Sequence, residues 1–430
     1  MRIPDIPGRR VASRSEEEDW VRSRISGIAG VQREKFPGSQ PVSFSQSDLA
    51  RLESQDFWVC EKSDGVRVLL IVLTGNDGHQ SVYLYDRNNG FYDIDGFYFP
   101  HHENPQNPML DTIVDGELVY DVDPRTKQET MRFLAFDCLV VNAQNVMSRT
   151  LDKRYGRLKE WFYKPFLRMK RDHPQSAESH PFDIQVKEIR LSYHAEQVFA
   201  DMPNLQHGSD GLIYTCVNAP YTPGTDQNIL KWKPPSENSI DFKLVLRFPP
   251  LPNDPATPDF GAKPVFLLKQ WKGKDEYEQY DLMRVEDDEW EQMKLSGDQY
   301  DDRVVEVHWD PTLNAWRFMR FRDDKPNGNH HSIVDKIIQS IADGVEKDIL
   351  LERSNAIRNA WKARGGQPQQ AAAPAAPQQA PRLAAAASAS ASLSIAKPHG
   401  LIPLELRYGP LATSQWSKVS GPPIVAGMKR

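Results

Sequence analysis

Cysteine is scarce: Cys60, Cys138 and Cys216 are the only three in 430 residues, and they stand far apart. With no Cys-x-x-Cys pair and no zinc-ligand spacing, neither a disulfide framework nor a zinc module organises the chain, which fits a reducing compartment. The phosphate-cradling G-x-x-x-x-G-K-[ST] loop and the G-x-G-x-x-G turn are both missing, so any bound nucleotide must be held by side chains. No long apolar run and no signal peptide are read, which predicts a soluble, non-secreted protein with no membrane partner. The formal net charge of −6 excludes a general polyanion binder; contact with nucleic acid needs a local basic surface. The pairs His101-His102 and His330-His331 read as loop residues, not metal ligands.

What is present is a chain with 39% hydrophobic and 26% charged residues, enough for two domains with cores of their own and a tail. Its central stretch is Cys60-Glu61-Lys62-Ser63-Asp64-Gly65-Val66-Arg67, followed by the apolar run from Val68 to Leu73. The run is short and rich in β-branched residues, as a buried strand is, and Asp64-Gly65 is turn chemistry. Lys62 then stands at the mouth of a sheet. A lysine amine attacks phosphorus or carbonyl carbon only when neutral, and burial or neighbouring cations favour that form. Arg67 supplies one cation, and its planar fork suits phosphate or ribose oxygens.

Around this stretch the chain reads as a series of short elements. Ser15 ahead of Glu16-Glu17-Glu18 starts a helix, and Phe36-Pro37-Gly38-Ser39-Gln40-Pro41 is a turn entering an extended piece. Residues 81–99 form a hairpin with Arg87 at its turn. Ile113 to Tyr120 is a strand carrying Asp115, Gly116 and Glu117, and Arg132 to Asn142 is another carrying Asp137. A carboxylate in an apolar strand is costly unless paired or bound to a cation. Residues 150–173 form a basic helix and 195–205 a second one. Gly208-Ser209-Asp210-Gly211 turns into a further strand. Lys231 and Lys233, two apart, share one face of a strand. Pro234-Pro235 with Ser236-Glu237-Asn238 marks a boundary. Five apolar-rich runs follow, at 241–248, 265–272, 277–285, 304–310 and 315–322, as in a small closed or half-closed β-barrel. The last ends in Arg320, Arg322, Asp324 and Lys325. Ser332 with Asp335 reads as a helix cap, and Ile333, Ile337, Ile341, Val345 and Ile349 recur every four residues. From Gly365 onward the chain is rich in Gln, Ala, Pro and Ser, a low-complexity, disordered composition.

Six of these stretches occur in a family's order: Lys62-Ser63-Asp64-Gly65-Val66-Arg67, Asp115-Gly116-Glu117-Leu118, Phe136-Asp137-Cys138-Leu139, Asp210-Gly211-Leu212-Ile213, Leu230-Lys231-Trp232-Lys233 and Arg320-Phe321-Arg322-Asp323-Asp324-Lys325. Over roughly residues 30–360 the chain resembles the covalent nucleotidyltransferases, which include mRNA guanylyltransferases and ATP-dependent polynucleotide ligases. Phe36-Pro37-Gly38-Ser39-Gln40-Pro41-Val42-Ser43 and Leu230-Lys231-Trp232-Lys233-Pro234 look most like the fungal capping alpha subunit. Ser63, Val66 and Tyr214 depart from the family's usual Thr, Ile and Phe without removing a functional group.

The resemblance implies an α+β fold. An antiparallel-sheet nucleotidyltransferase domain would span 1–238 and an OB-fold barrel 239–330. A helix over 331–363 would pack back on the domains, and a tail would run over 364–430. It also implies a two-step reaction: Lys62 takes GMP from GTP as a lysyl-N–GMP phosphoramidate, then passes it to the 5′-diphosphate end of nascent RNA to form GpppN. By similarity, Arg67, Arg87, Asp115, Gly116, Glu117, Asp210, Lys231, Trp232 and Lys233 belong to the nucleotide site. Arg320, Arg322, Asp324 and Lys325 would close over the pyrophosphate. Glu117 and Asp210 would sit at Mg²⁺ or Mn²⁺ arriving with GTP. Family membership further implies a separate RNA 5′-triphosphatase (beta) subunit, docking on the phosphorylated C-terminal repeats of RNA polymerase II, and a nuclear location. A polynucleotide ligase working through lysyl-AMP is the alternative enzyme, and a non-catalytic RNA-binding scaffold is the alternative of another kind.

Overall fold

In a computed structural model, residues 4–310 and 312–365 are described, with short strand pieces at Ala412–Thr413, Ile424–Val425 and Met428–Lys429. The expected disordered tail lies almost wholly outside the described residues. The chain forms two compact units. The first comprises residues up to Lys233 together with the segment that begins at Lys347; the second runs from Pro234 to Glu346.

The first unit is built on two sheets. One orders its strands Arg9–Arg10, Phe91–Ile94, Gln80–Asp86, Val66–Thr74, Thr112–Val122, Glu129–Val141 and Asp183–Val186. The other orders Arg190–Leu191, Phe57–Ser63, Ser209–Cys216, Gly224–Trp232 and Ser39–Ser43. The strand Val66–Thr74 reads as an unbroken apolar run because both of its faces are covered. Val68, Leu70 and Val72 pack toward Phe162 and Phe166. Leu69, Ile71 and Leu73 pack toward Val21 and Ile25 of the helix Glu16–Ala29. That helix starts where expected: Ser15 is its N-cap, and its side chain accepts from the Glu18 amide.

The sheets are mainly antiparallel, as expected, with two parallel pairings. Asp183–Val186 runs parallel to Arg132–Ala135, and Ser39–Ser43 runs parallel to the Gly224–Lys231 stretch. The basic helix at 150–173 is three consecutive pieces, Leu151–Arg157, a π-helical Leu158–Tyr163 and Lys164–Asp172.

The second unit is a closed barrel of five strands, Ser239–Phe248, Val265–Gly273, Glu276–Met283, Arg303–Asp310 and Ala315–Phe321. The first strand pairs with both the second and the fourth, which closes it. Ile240, Phe242, Leu244, Val305, Val307 and Trp316 fill its interior. A helix, Asp287–Ser296, is inserted between the third and fourth strands; the sequence reading missed it.

The single helix expected over 331–363 is three helices. His331–Ala342 belongs to the barrel unit, whereas Lys347–Glu352 and Ser354–Gly365 belong to the first unit. Its cap is His330, whose side chain accepts from the Ser332 amide, not Ser332 with Asp335. The last helix is fastened by Arg364 to Asp56 at 2.8 Å and by the edge-on contact of Trp361 with Tyr193.

Candidate active site

Between the two sheets of the first unit lies a cavity of about 260 Å³. Trp58, Cys60 and Lys62, alternate residues of one strand, line it from the second sheet. Arg67, Asp115, Glu117 and Phe136 line it from the first, with Arg87 and Lys187. The turn joining Lys62 to Arg67 is pressed against the neighbouring strand: a Cβ on Gly65 would come within 2.1 Å of the Leu118 carbonyl oxygen, so only glycine fits. The Gly65 amide donates to Glu117 Oε1 at 3.1 Å.

Lys62 Nζ donates to Asp210 Oδ1 at 2.6 Å, and Lys233 pairs with the other oxygen of the same carboxylate. Burial works against the Asp210 charge, but Lys233 and Lys62 hold its pKa below the ordinary value. Asp210 is therefore a poor acceptor for a further proton. Lys231 is held below the ordinary lysine pKa by its surroundings and by the like charges of Lys62, Lys233 and Arg87. Burial raises Glu117 above the usual carboxylate range, against the pull of Lys187, the Gly65 amide and Lys62.

Arg67 is anchored rather than free. Its Nε and Nη2 reach Asp115 at 3.0 and 2.5 Å, and Nη1 donates to the Ser39 carbonyl. Asp115 also accepts from Tyr221 Oη at 2.5 Å, and the Tyr221 oxygen accepts from the Ser39 amide. Asp115 thus aims Arg67, and the Pro37-Gly38-Ser39 segment is tied into the same network.

Two expected site residues are packing residues instead. Trp232 faces away from its neighbours Lys231 and Lys233; it is 1% exposed and meets Phe199 edge-on. Gly116 lets the Phe133 ring pass, since a Cβ there would come within 2.3 Å of it.

Sequence reasoning missed Lys187. It is buried, with Nζ on the Glu61 carbonyl at 2.7 Å, Ser63 Oγ at 2.8 Å and Glu61 Oε1 at 3.1 Å. Burial opposes both charges, yet Lys187 draws Glu61 down to about 2. A lone lysine in Asp183-Ile184-Gln185-Val186-Lys187 carries no signal of this.

On the barrel unit, Arg320, Arg322 and Lys325 do converge, chiefly on Asp241 and Glu306, which the sequence did not single out. Arg322 Nη1 reaches Asp241 at 2.9 and 3.0 Å, and Lys325 Nζ reaches it at 2.5 Å. Arg320 Nε reaches Glu306 at 2.6 Å, and Arg322 clasps Asp324 at 2.9 and 2.8 Å. Asp324 here is a partner of Arg322. These cations must trade carboxylates for phosphate oxygens if they are to bind phosphate.

For a metal, no group of three or more His, Cys, Asp and Glu among the described residues is set to hold one. Glu117 and Asp210 offer hard oxygens beside a cavity lined by cations, which fits a divalent ion shared with phosphate oxygens better than a protein cage.

A strand-borne lysine facing a cation-lined cavity between two sheets, followed by a closed barrel, is the layout of a nucleotidyltransferase. The mRNA capping enzyme catalytic-domain model matches residues 2–235, and the mRNA capping enzyme C-terminal-domain model matches residues 237–351. The chain is 39% identical over 361 residues to "mRNA-capping enzyme subunit alpha" of Schizosaccharomyces pombe, covering 83% of this chain and 88% of that one. It is 36% identical over 370 residues to the protein of that name from Saccharomyces cerevisiae, covering 76% and 80%. It also resembles the solved mycobacterial DNA ligase D complexed with ATP and MES, at 16% identity and a TM-score of 0.34, over 67% of this chain and 95% of that one. The chain belongs to the mRNA capping enzyme family. It is a guanylyltransferase, a nucleotidyltransferase of mRNA processing that uses GTP and RNA. Enzymes of this fold generally use divalent metal ions. Among the described residues no helix is long and apolar enough to cross a membrane.

Proposed function

We propose that Lys62 is the nucleophile and that the cavity it faces is the GTP site. The observation that carries this is the Lys62 amine, held at 2.6 Å by Asp210 and directed into a cavity shared with Arg67, Arg87 and Glu117. The neutral amine attacks the α-phosphorus. A P–N bond forms, the bond to the bridging oxygen of pyrophosphate breaks, and the amine's proton passes to solvent. The terminal phosphate of a 5′-diphosphate RNA then displaces the lysine and receives GMP. Asp210 orients the amine, Arg67 and Glu117 serve the ribose, and Arg87, Lys231 and Lys233 serve phosphate oxygens. Much of catalysis here is alignment and charge neutralisation, which is what these groups supply. Mg²⁺ or Mn²⁺, held by triphosphate oxygens with Glu117 and Asp210, would supply further neutralisation of phosphate charge. The barrel is read as an OB-fold. The "subunit alpha" relatives support a triphosphatase beta partner, and the family supports a nuclear location and docking on phosphorylated polymerase repeats.

The test is incubation with α-labelled GTP or ATP and a divalent metal, followed by denaturing electrophoresis. An acid-labile band near 49 kDa with GTP alone is expected. A band with ATP alone would replace this reading with a ligase, and no band in folded protein would replace it with a scaffold.

The second unit's cations are assigned to the leaving pyrophosphate. Lys325→Ala is the cleaner probe, because Asp241 keeps Arg322 as a partner. It should slow adduct formation by about 10²-fold. Transfer from a preformed adduct to RNA should change by about twofold at most, since no pyrophosphate leaves in that step. Equal loss in both steps would count against the assignment.

A further inference from the structure

The strands bearing Lys62 and Asp210 are neighbours, but their ladder slips between them. Ser209 pairs with Ser63, and the next pair is Leu212 with Glu61, so Asp210 and Gly211 together oppose Lys62. A bulge of this kind re-aims a side chain and leaves its position undetermined by ladder hydrogen bonds. The loop ahead of it must set where Asp210 sits.

That loop is fixed at three points. The Val122 amide donates to the Gln206 carbonyl at 2.8 Å, and the Asp64 amide donates to the Gly208 carbonyl at 2.8 Å. The third point is a side chain. His207 Nδ1 lies 2.9 Å from Asp121 Oδ1, and its Nε2 is 3.9 Å from Glu61 Oε1 with no hydrogen-bond partner. The imidazole side chain is 8% exposed. Asp121 comes from one sheet and Glu61 from the other, one residue before Lys62.

We propose that His207 is a positioning residue for lysyl-nucleotide formation: bracketed by Asp121 and Glu61, it holds the bulge that delivers Asp210 to the Lys62 amine. The inference rests on reading Lys62 as nucleophile and Asp210 as its orienting partner. The groups around the bracket are Asp121, which also binds Arg132 Nε at 2.6 Å, and Glu61, which also binds Lys187. Burial disfavours charge on His207, but the two carboxylates outweigh it and raise its pKa above 6.5. The sign follows. A histidine with a raised folded pKa contributes fully below the ordinary value, and its contribution is lost as pH rises through the raised one. Once neutral, the imidazole is no longer a cation between two carboxylates; it keeps the bond to Asp121 and presents a lone pair toward Glu61.

The experiment is single-turnover adduct formation with α-labelled GTP from about pH 6 to pH 9.5, in wild type, His207→Gln and Asp210→Asn. The wild-type to His207→Gln rate ratio should be about tenfold at the acidic end and fall toward one as pH rises. A ratio that does not vary with pH, whatever its size, overturns the proposal, since a purely structural loss would be the same at every pH. If Asp210→Asn is slow and the ratio flat, only the proposal falls. If Asp210→Asn is as fast as wild type, the Asp210 reading falls and takes the proposal with it. Should His207→Gln not fold, Asp121→Asn, which keeps an acceptor oxygen but removes one of the two carboxylate charges around the imidazole, is judged by the same two outcomes.

Discussion

Replacing Lys62 with alanine is expected to give a folded protein that forms no covalent nucleotide adduct. Lys62 is half-buried, and its amine makes one ion pair, to a carboxylate that keeps Lys233. Its loss opens no apolar cavity, so stability should change by no more than about 1 kcal/mol. Circular dichroism and thermal unfolding check that part. Lys62→Arg should be equally inactive despite its charge, because a guanidinium stays protonated and cannot attack phosphorus. The informative rival is Lys231, which burial and the like charges of Lys62, Lys233 and Arg87 push toward its neutral form. Peptide mapping of the labelled wild type separates the two: a phosphoramidate on Lys231, or a persisting band in Lys62→Ala, would take the nucleophile's role from Lys62.

The largest loss of stability is expected from Asp137→Ala. Asp137 grips Arg154 through both oxygens, at 2.9 and 2.8 Å, and its Oδ1 accepts from the Cys138 amide. The Arg154 side chain is 2% exposed, and its Nη1 also reaches the Arg149 and Ala219 carbonyls. Removing the aspartate strands a buried guanidinium, which costs about 3–5 kcal/mol. For a unit of this size that lowers Tm by roughly 10 °C. Differential scanning calorimetry reads it directly, and adduct formation below the lowered Tm should persist. A Tm within about 2 °C of wild type would mean that Arg154 finds other partners and that Asp137 faces the cavity for another reason.

The contrast between these two positions shows what the sequence makes legible. Lys62, Arg67, Glu117 and Asp210 announce themselves because charged residues beside tight turns and apolar runs need a reason to be there, and their order along the chain supplies one. Asp137 sits in an equally apolar run, but nothing in that run points to Arg154, seventeen positions on inside a helix of basic residues. Lys187, Glu61, His207, Asp241 and Glu306 were missed for the same reason. A single charged residue in a strand or loop looks solvated until its partner is placed, and each partner here lies on a different element.

Two errors carried legible warnings. The helix Asp287–Ser296 has a capping box between Glu286 and Glu289 and ends at Gly297 with φ 69°; the sequence shows the spaced glutamates and the glycine that make these caps. The apolar recurrence from Ile333 to Ile349 continued past Ala342, where the helix in fact stops, two residues before Gly344. Trp232 is different. Strand alternation that puts Lys231 and Lys233 on one face puts Trp232 on the other, so its assignment to the nucleotide contradicted the argument made for its neighbours.

The helix Ser354–Gly365, which Arg364 ties to Asp56, bears on how the protein is made. Translation runs from the amino end, and domains fold as units when their chain is available. The first unit emerges nearly whole by Lys233, but its last helix is synthesised only after the entire barrel. During that interval the surface around Asp56 and Tyr193 waits uncovered on the ribosome, so the domain begun first is completed last.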